Sequence, residues 1–469
     1  MGRGSRHSLA EDNYFGSTKY EAQRLLSEDE MLEDVLNVGE QKVQKGAYVT
    51  LAILTLVNLL NYADRMIPSA TKSLYQKEFD ITDMQSSIPA STFIVVYMIF
   101  SPIFAALADR GVSRKFLLIA GVVWWSLSTG AVYFSHHFWE FTIYRSLVAV
   151  GEACYATIAP ALLSDLYPPL KRNKAMMVFF VATPIGAALG FVLGGQIGHY
   201  FGWRYAFLIC GAPGILIAFS LLLATDPGRN IYEKREDRDK LVPWSVALKS
   251  LLNNRTYLVT LGGLTCLTWA IGAIADWAPE FFVRNTSVSV DQAGLVVGAM
   301  AVIGGLGGTI AGSLLGDVFK RRVTNSYMLV SAVGALTSSV VFVLMFFFAW
   351  KKTNVFLVFA TLLVAQFLGW WYTGPINAIL ANVVSSHIRA RSFATTIIVM
   401  HTLGDGVSPL LVGLISDHVG SDKAEGLLIA LLTVPTFIFI AGVVWMSYWY
   451  LAAKRGLIFE PEEPVDLPE

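Results

Sequence analysis

The segment ALADRGVSRKFLLIAGVV (106–123) joins two long apolar runs through one short charged loop, DRGVSRK (109–115). The apolar runs extend over about 85–108 and about 116–134, and a helix needs about 20 mainly apolar residues to cross a membrane. The segment therefore predicts two membrane-spanning helices joined by a short polar loop. The same alternation of apolar runs and charged loops continues along the chain.

The composition indicates a membrane protein. Of the 469 residues, 54% are hydrophobic and only 15% are charged, whereas soluble domains contain about 25% charged residues. The 35 basic and 35 acidic residues balance, so the net charge does not indicate a nucleic-acid partner. Cys154, Cys210 and Cys266 lie far apart in apolar segments and match neither a disulfide framework nor a metal-binding pattern. We therefore predict an all-α integral membrane protein without a metal or other cofactor.

Twelve apolar segments are long enough to span a membrane. They lie at about 46–67, 85–108, 116–134, 138–166, 174–199, 204–224, 256–283, 291–316, 325–349, 354–384, 392–416 and 425–452. Basic residues concentrate in alternate loops, and the positive-inside rule predicts that both termini and the central linker are cytosolic. The predicted organisation is an N-terminal tail (1–45), a six-helix bundle (46–225), a linker (226–253), a second six-helix bundle (254–453) and a C-terminal tail (454–469). The polar first 45 residues contain no apolar run of the kind that a cleavable signal peptide needs.

The two halves repeat each other's charges. Asp109, Arg114 and Lys115 follow the second helix, as Asp317 and the basic residues 320–322 follow the eighth. A duplicated six-helix unit predicts a site near the membrane midplane, between the halves. The loop DRGVSRK resembles the signature of the major facilitator superfamily, although Ala105 stands where glycine is usual and the basic pair comes one residue late.

The resemblance implies twelve helices in two bundles that rock against each other. Asp109, Arg114, Lys115 and Asp317 would then form a conformational latch that holds the bundles together on the cytosolic side. Alternatively, Arg114 and Lys115 only enforce the topology. Glycines at every fourth position of the fifth and eighth helices allow close helix packing, which is either fixed or part of a sliding contact.

Few ionisable residues lie inside the predicted spans, and each is expensive to place there. They are Asp64, Arg65, Arg145, Glu152, Asp276, His401 and Asp405. Arg145 and Glu152 are seven residues apart and His401 and Asp405 are four apart, so each pair shares a helical face. Asp64 and Arg145 fall at a similar depth, which predicts that they are close enough to pair.

Three segments resemble the Spinster family of the same superfamily. They are NLLNYADR (58–65), RSLVAVGEACYATIAPALLSDL (145–166) and HTLGDGVSPLLVGLISD (401–417); ADWAPEFFVR (275–284) matches more loosely, since Asp276 stands where an uncharged residue is expected. The resemblance extends from about 50 to 450. It implies a transporter of lysolipids, since one branch of the family exports lysophospholipids from lysosomes with protons and another releases sphingosine-1-phosphate.

The acidic and histidine side chains are candidates for proton coupling. Glu152 is the first candidate, because burial disfavours the charged form of a carboxyl group; the alternative is a neutral carboxyl bonded to a neighbouring helix. Asp64 with Arg145 is either a proton-sensitive pair or a structural ion pair. Histidine is the side-chain type that can change its charge near physiological pH, so His401 with Asp405 is either a proton or headgroup sensor or a satisfied core pair.

An amphiphilic substrate needs a charged pocket and an apolar surface. Arg65 and Arg145 are candidates for the phosphate, because a guanidinium binds phosphate through two parallel hydrogen bonds. Trp370, Trp371 and Tyr372 lie halfway along the tenth helix and are candidates for the lipid chain. The alternative for these aromatic residues is packing or lipid contact.

One pattern in the N-terminal tail bears on location. EAQRLL (21–26) fits the acidic dileucine pattern that adaptor proteins read on cytosolic tails, with Leu25 and Leu26 as its leucines. The alternative is an amphipathic turn. The sorting interpretation predicts a lysosomal or vacuolar membrane, with the plasma membrane as the second choice.

The twelve-span organisation, the ionisable residues and the resemblance to the Spinster family together imply a proton-coupled lysolipid transporter that works by alternating access. Its expected partners are lysolipid, protons and membrane lipids, with a possible adaptor at the dileucine. No phosphate-binding Gly-Lys-Ser/Thr loop indicates ATP-driven pumping, and no nucleophile–base arrangement indicates an enzyme. The alternatives are a transporter of the same fold for a sugar or organic anion, and a lipid sensor or scaffold that transports nothing.

Overall fold

The computed structural model describes residues 42–229, 243–286, 288–320, 322–384 and 388–459. Within these ranges the chain is helical and has no β-strand. Twelve helices are long and apolar enough to cross a membrane, which confirms the predicted number. We label them α1 to α12, and their bounds are Ala47–Ala70, Asp83–Ala108, Arg114–Phe134, Phe138–Leu166, Lys174–Phe201, Trp203–Leu223, Arg255–Asn285, Val290–Lys320, Ser326–Trp350, Val355–Asn382, Arg391–His418 and Lys423–Lys454.

The helices form two bundles, α1–α6 and α7–α12, each with its own buried apolar core. We call the end of the bundles that carries residues 109–113, 224–229 and 243–254 the linker side, and the end that carries residues 71–82 and 288–289 the far side. The described part of the chain also has two shorter α-helices outside the twelve spans. Lys72–Phe79 follows α1 on the far side, and Trp244–Asn253, the linker helix, precedes α7 on the linker side.

In α12 one turn residue, Leu432, interrupts the helix, and two other spans predicted as continuous helices have longer breaks. In α10 a 3₁₀ turn, Trp370–Tyr372, separates Val355–Gly369 from Thr373–Asn382. In α11 a π turn, His401–Asp405, separates Arg389–Met400 from Ser408–His418. Each of the two longer breaks lies four residues before a proline, Pro375 or Pro409, which has no N–H to donate to the carbonyl of residue 371 or 405. The missing hydrogen bond lets the backbone leave the α-helical path.

The glycine rows of α5 and α8 mostly fix helices within a bundle. A Cβ atom built on Gly190 would lie 2.2 Å from the Ala63 carbonyl oxygen of α1, and one on Gly312 would lie 2.1 Å from the Trp371 carbonyl oxygen of α10. Gly186 and Gly308 make equally close approaches to the same two helices. The structure thus favours fixed packing over sliding for these rows.

Other glycines bring the two bundles together. A Cβ on Gly294 of α8 would lie 2.4 Å from the Phe191 carbonyl oxygen of α5, and one on Gly298 would lie 2.8 Å from that of Ala188. A Cβ on Gly413 of α11 would lie 2.7 Å from the Asp83 carbonyl oxygen of α2. All three contacts lie in the far half of the membrane, so the bundles pack most tightly there.

We predict that Gly190→Ala destabilises the first bundle by about 1–3 kcal/mol, the range for overpacking a filled interface. The added methyl group collides with backbone, which cannot rotate away as a side chain can. Gly262→Ala is the matched control, because its Cβ meets nothing within 4 Å. Thermal unfolding of the purified variants measures the effect. Equal midpoints for the two variants would contradict the close packing of α5 on α1.

Candidate functional site

A buried ion pair joins α1 to α4 in the first bundle. The Arg65 Nη2 and Nε atoms donate to the same Glu152 carboxylate oxygen, Oε2, over 2.8 and 3.1 Å. Glu152 is completely buried, whereas the Arg65 side chain keeps 19% of its surface exposed. Arg65 is therefore the member of the pair that a solute entering between the bundles meets first.

Aromatic rings surround the Arg65 guanidinium. Its central carbon lies 5.0 Å from the ring centres of Tyr62 and Phe93 and 5.3 Å from that of Tyr97. Ring faces attract a cation and at the same time offer apolar surface. The result is one positive group set in an apolar wall.

Asp64 and Arg145 are both buried beside this pair, but they do not form the predicted ion pair. Among the described residues, the ion pair of this cluster is the one between Arg65 and Glu152. One oxygen of Asp64, Oδ1, and one nitrogen of Arg145, Nη1, are buried without a hydrogen-bond partner. The prediction was wrong because two residues at the same depth in the membrane can point in different directions around their helices. The side chain of α1 that reaches the Glu152 carboxylate of α4 is that of Arg65, the next residue along the chain.

His401 and Asp405 bind each other inside the π turn of α11. The His401 Nδ1 atom lies 2.8 and 2.9 Å from the two carboxylate oxygens of Asp405, and each side chain keeps 22% of its surface exposed. The turn lies against α7, where a Cβ on Gly272 would lie 2.4 Å from that of Asp405. This close approach fixes the carboxylate in place.

Helix α2 lies between the two charged pairs. Its Phe93 and Tyr97 contact Arg65, whereas Met98 accepts a hydrogen bond from Thr402 of α11 at 3.5 Å. A Cβ on Gly406 would lie 3.1 Å from Ile94. One helix thus touches both the first-bundle ion pair and the second-bundle π turn.

The aromatic residues of α10 pack within the second bundle. Tyr372 is buried and its ring lies 6.2 Å from that of Trp445 in α12. Trp371 packs on Gly312 and Gly334, and Trp370 donates to Gln366 Oε1 at 3.1 Å. These contacts agree with packing; the substrate role of the three residues stays a prediction.

A second charged network closes the far side between the bundles. Lys72 is buried and pairs with Asp276 of α7, which also accepts a hydrogen bond from Ser87 Oγ at 2.9 Å. The Lys72 ammonium lies 3.8 Å from the ring centre of Trp277. Burial lowers the pKa of Lys72, and the Asp276 carboxylate opposes that shift. The bundles are therefore joined here by a charge pair removed from water.

Arg284 makes the second far-side connection. It donates to both carboxylate oxygens of Asp83 in α2, at 2.7 and 2.9 Å, and to Glu280 on its own helix at 2.6 Å. Ser416 of α11 also donates to Asp83, at 2.6 Å. The Asp417 carboxylate accepts the backbone N–H groups of Asp83 and Met84 at 2.8 and 2.9 Å.

Sequence reasoning missed this far-side network. Lys72 lies in none of the family-like segments, and Arg284 ends the loosely matching segment ADWAPEFFVR without a role assigned to it. The available signal was Asp276, a carboxylate in an apolar span, which needs a cation to offset its burial. It could have indicated that a partner exists, but not which helix supplies it.

The predicted latch residues contact their own bundles in this structure. Arg114 pairs with Asp165 and Asp226, and Lys115 donates to the Leu222 carbonyl, all within the first bundle. Asp317 accepts a hydrogen bond from Tyr327 of the second bundle at 2.6 Å. The side chain of Asp109 lies outside the described residues. The latch stays a prediction, since the described inter-bundle hydrogen bonds lie toward the far side, apart from the one between Thr402 and Met98 near the middle of α11 and α2.

Asp226 gives the linker side a pH-dependent contact. Burial alone would raise the pKa of this carboxyl, but the hydrogen bonds and charge of Arg114 lower it overall. We predict that Asp226→Asn costs roughly 1 kcal/mol of stability at neutral pH. The carboxylate stabilises the fold above its unfolded-state pKa of about 3.9, and this contribution is lost as pH falls through the lower folded-state pKa. Thermal unfolding of the wild-type protein and Asp226→Asn between neutral pH and pH ~3 measures this contribution, with the exposed Asp80→Asn as control. A stability difference between wild type and Asp226→Asn that stays constant at every pH would contradict the prediction.

Within the described residues, no group of three or more His, Cys, Asp or Glu side chains is placed to hold a metal ion. The functional geometry is instead two bundles closed on the far side, with a buried ion pair in the first and a His–Asp pair in the second.

Comparison with known proteins agrees with this architecture. The model of the Major Facilitator Superfamily matches residues 54–400. Protein spinster homolog 3 of Danio rerio is 32% identical over 393 residues, which cover 80% of this chain and 78% of that protein. Protein spinster homolog 1 of Xenopus laevis is 30% identical over 417 residues, covering 85% and 78%.

A solved structure supports the same fold. The bacterial homolog to the human lysosomal transporter Spinster, in an inward-facing and unoccupied conformation, superimposes with a TM-score of 0.78 at 21% identity, covering 88% of this chain and 99% of that one. The family model, the relatives and the twelve-helix architecture agree: the chain belongs to the Spinster family and is a membrane transporter of the major facilitator superfamily.

Proposed function

We propose that the protein is a proton-coupled transporter of single-chain phosphorylated lipids, of the lysophospholipid or sphingosine-1-phosphate type. The observation that carries the proposal is the Arg65–Glu152 pair with Asp64 and Arg145 buried beside it. With both acids ionised, these four side chains have no net charge. A proton taken up by one acid leaves one positive charge in an apolar setting, which favours the entry of an anion such as phosphate.

The surroundings of Arg65 suit an amphiphile better than a sugar. Glu152 protonation would free the guanidinium for a phosphate, which arginine binds through parallel hydrogen bonds. The rings of Tyr62, Phe93 and Tyr97 then offer apolar surface to the adjoining chain. A sugar pocket would need hydrogen-bonding groups around the whole ligand, since an unpaired buried polar group is costly.

The alternating step of the mechanism rests on the far-side network. The pairs Lys72–Asp276 and Arg284–Asp83 close that side, so a substrate would reach Arg65 from the linker side in this conformation. Opening the far side requires both pairs to separate. We propose that the linker side faces the cytosol, as the basic loops predict, and that the membrane is lysosomal or vacuolar. Leu25 and Leu26 lie outside the described residues, so adaptor binding rests on the sequence pattern.

Transport by purified protein in liposomes tests the proposal. Uptake of labelled lysophosphatidylcholine and sphingosine-1-phosphate is measured with and without an imposed pH gradient, beside a labelled sugar and a labelled organic anion. We expect lysolipid uptake that the gradient accelerates. Uptake of the sugar or organic anion alone would establish the polar-solute alternative. Lysolipid binding without flux would establish the sensor alternative.

We predict that His401→Gln weakens lysolipid binding about 10-fold, the loss expected for one charge-assisted hydrogen bond. His401 is partly exposed beside α2, where a headgroup held by Arg65 can reach it. His418→Gln, on the exposed end of the same helix, is the control. Lysolipid titration of both variants measures the dissociation constants. Unchanged affinity in His401→Gln would leave the histidine as a satisfied structural partner of Asp405.

A further inference from the structure

The linker helix Trp244–Asn253 presents three different faces. Ala247 and Leu251 are buried against the second bundle. Ser245, Lys249 and Asn253 form an exposed polar face. A third row, Trp244, Leu248 and Leu252, is apolar and yet exposed by 56%, 44% and 59%.

The apolar row is too regular to be incidental surface. Its members are four residues apart, so they line one side of the helix, between the packed face and the polar face. A helix in contact only with protein and water needs two kinds of face. A third, apolar face indicates a third kind of neighbour.

The position of the helix indicates what that neighbour is. The helix ends at Asn253, and the next residue, Asn254, caps α7 by accepting the Tyr257 N–H at 2.9 Å. Asn254 also donates to the Val383 carbonyl oxygen beyond α10 at 2.6 Å. The linker helix therefore lies at the level where these spans leave the apolar part of a membrane, and tryptophan is enriched at that level.

The charges around the row select the chemistry of the partner. Lys249 and Arg255 are exposed, and the Arg391 guanidinium lies 5.5 Å from the Trp244 ring centre. The sequence holds no Asp or Glu over 243–255 or over 388–400. Basic side chains beside an apolar row complement anionic lipid headgroups above acyl chains.

We propose that the linker helix is an interfacial helix: Trp244, Leu248 and Leu252 insert into the linker-side leaflet, and Lys249, Arg255 and Arg391 bind anionic headgroups. Because this helix is attached to α7 and α10, it holds one end of the second bundle at the membrane surface. Movement of that bundle then displaces headgroups as well as helices.

Spin-label accessibility tests the inserted face. Single cysteines at 244, 248 and 252, and matched cysteines at 245, 249 and 253, are labelled in the full chain in nanodiscs of phosphatidylcholine with phosphatidylglycerol. Native Cys154 and Cys210 are buried and Cys266 is half-buried, so labelled wild-type protein supplies the background. We expect the first set to be accessible to oxygen and the second set to a water-soluble nickel chelate.

The other outcomes are distinct. Water accessibility at all six positions would overturn the proposal. Protection of 244, 248 and 252 from both reagents would also overturn it, because the row would then be covered by residues 230–242 or by a second copy of the chain.

The charge requirement has its own test. We expect the label at 248 to move towards water when phosphatidylglycerol is omitted, and to move in the same direction but less far in Lys249→Gln/Arg255→Gln with phosphatidylglycerol present, because Arg391 remains. An unchanged depth in both cases would overturn the headgroup assignment.

Discussion

Glu152→Gln is expected to abolish the acceleration of lysolipid uptake by a pH gradient. Glutamine has nearly the same shape and can still accept a hydrogen bond from Arg65, so the helices α1 and α4 stay packed. It cannot take up or release a proton, and it leaves the cluster of Asp64, Arg65 and Arg145 with a permanent positive charge. Uptake in proteoliposomes should fall to the rate seen without a gradient.

The control for this variant is Glu140→Gln, the same change at the half-buried first turn of α4. Glu140 accepts the backbone N–H groups of His136 and His137, a role that an amide oxygen can also fill. Retained lysolipid binding by Glu152→Gln would show that the protein is folded. A full response to the gradient in that variant would remove Glu152 from the coupling mechanism, and Asp64→Asn would be the next variant to measure.

Lys72→Ala is expected to open the far side. The change leaves the Asp276 carboxylate buried with Ser87 as its remaining hydrogen-bond donor among the described residues. Removing one partner of a buried ion pair costs about 3–5 kcal/mol. Only the conformation with the closed far side bears this cost, because water can solvate the Asp276 carboxylate in place of lysine when the far side is open. A shift of about 3 kcal/mol changes the ratio of the two conformations roughly 100-fold.

Pulsed electron spin resonance distances between labels at 136 and 351, one on each bundle at the far side, measure the shift. Lys77→Ala, an exposed lysine on the same short helix, should leave the distance distribution unchanged. The double variant Lys72→Met/Asp276→Leu should restore the closed distance, because an apolar pair removes the unpaired charge. An unaltered distribution in Lys72→Ala would mean that the pair does not hold the bundles together.

The helix count and the fold were predictable because hydrophobic length and loop charge are local properties. The breaks in α10 and α11 were not predictable from their prolines alone: Pro375 and Pro409 remove hydrogen bonds to residues about one turn earlier, but so do Pro160, Pro184 and Pro213, whose helices stay continuous. The partners of the charges were not predictable either. Arg65 rather than Arg145 reaches an acid, and Lys72 meets Asp276, because side-chain direction depends on how helices from distant parts of the chain are rotated.

The glycine rows show the same limit. Spacing predicted close packing at Gly190 and Gly312, and the structure has it. Spacing alone could not distinguish a contact inside one bundle from a contact between bundles. That distinction depends on which neighbour each helix face meets, as the approach of Gly294 to Phe191 shows.

The Asp417 carboxylate accepts the first backbone N–H groups of α2. Opening the far side would therefore replace these hydrogen bonds between protein groups with hydrogen bonds to water. When the bundles separate there, Asp417, Asp83 and Arg284 each lose protein partners and gain water in their place. At these three side chains the open form therefore binds more water molecules than the closed form, and water activity becomes a variable of the far-side equilibrium. Solutes that are excluded from the protein surface will favour the closed far side, independently of any pH gradient.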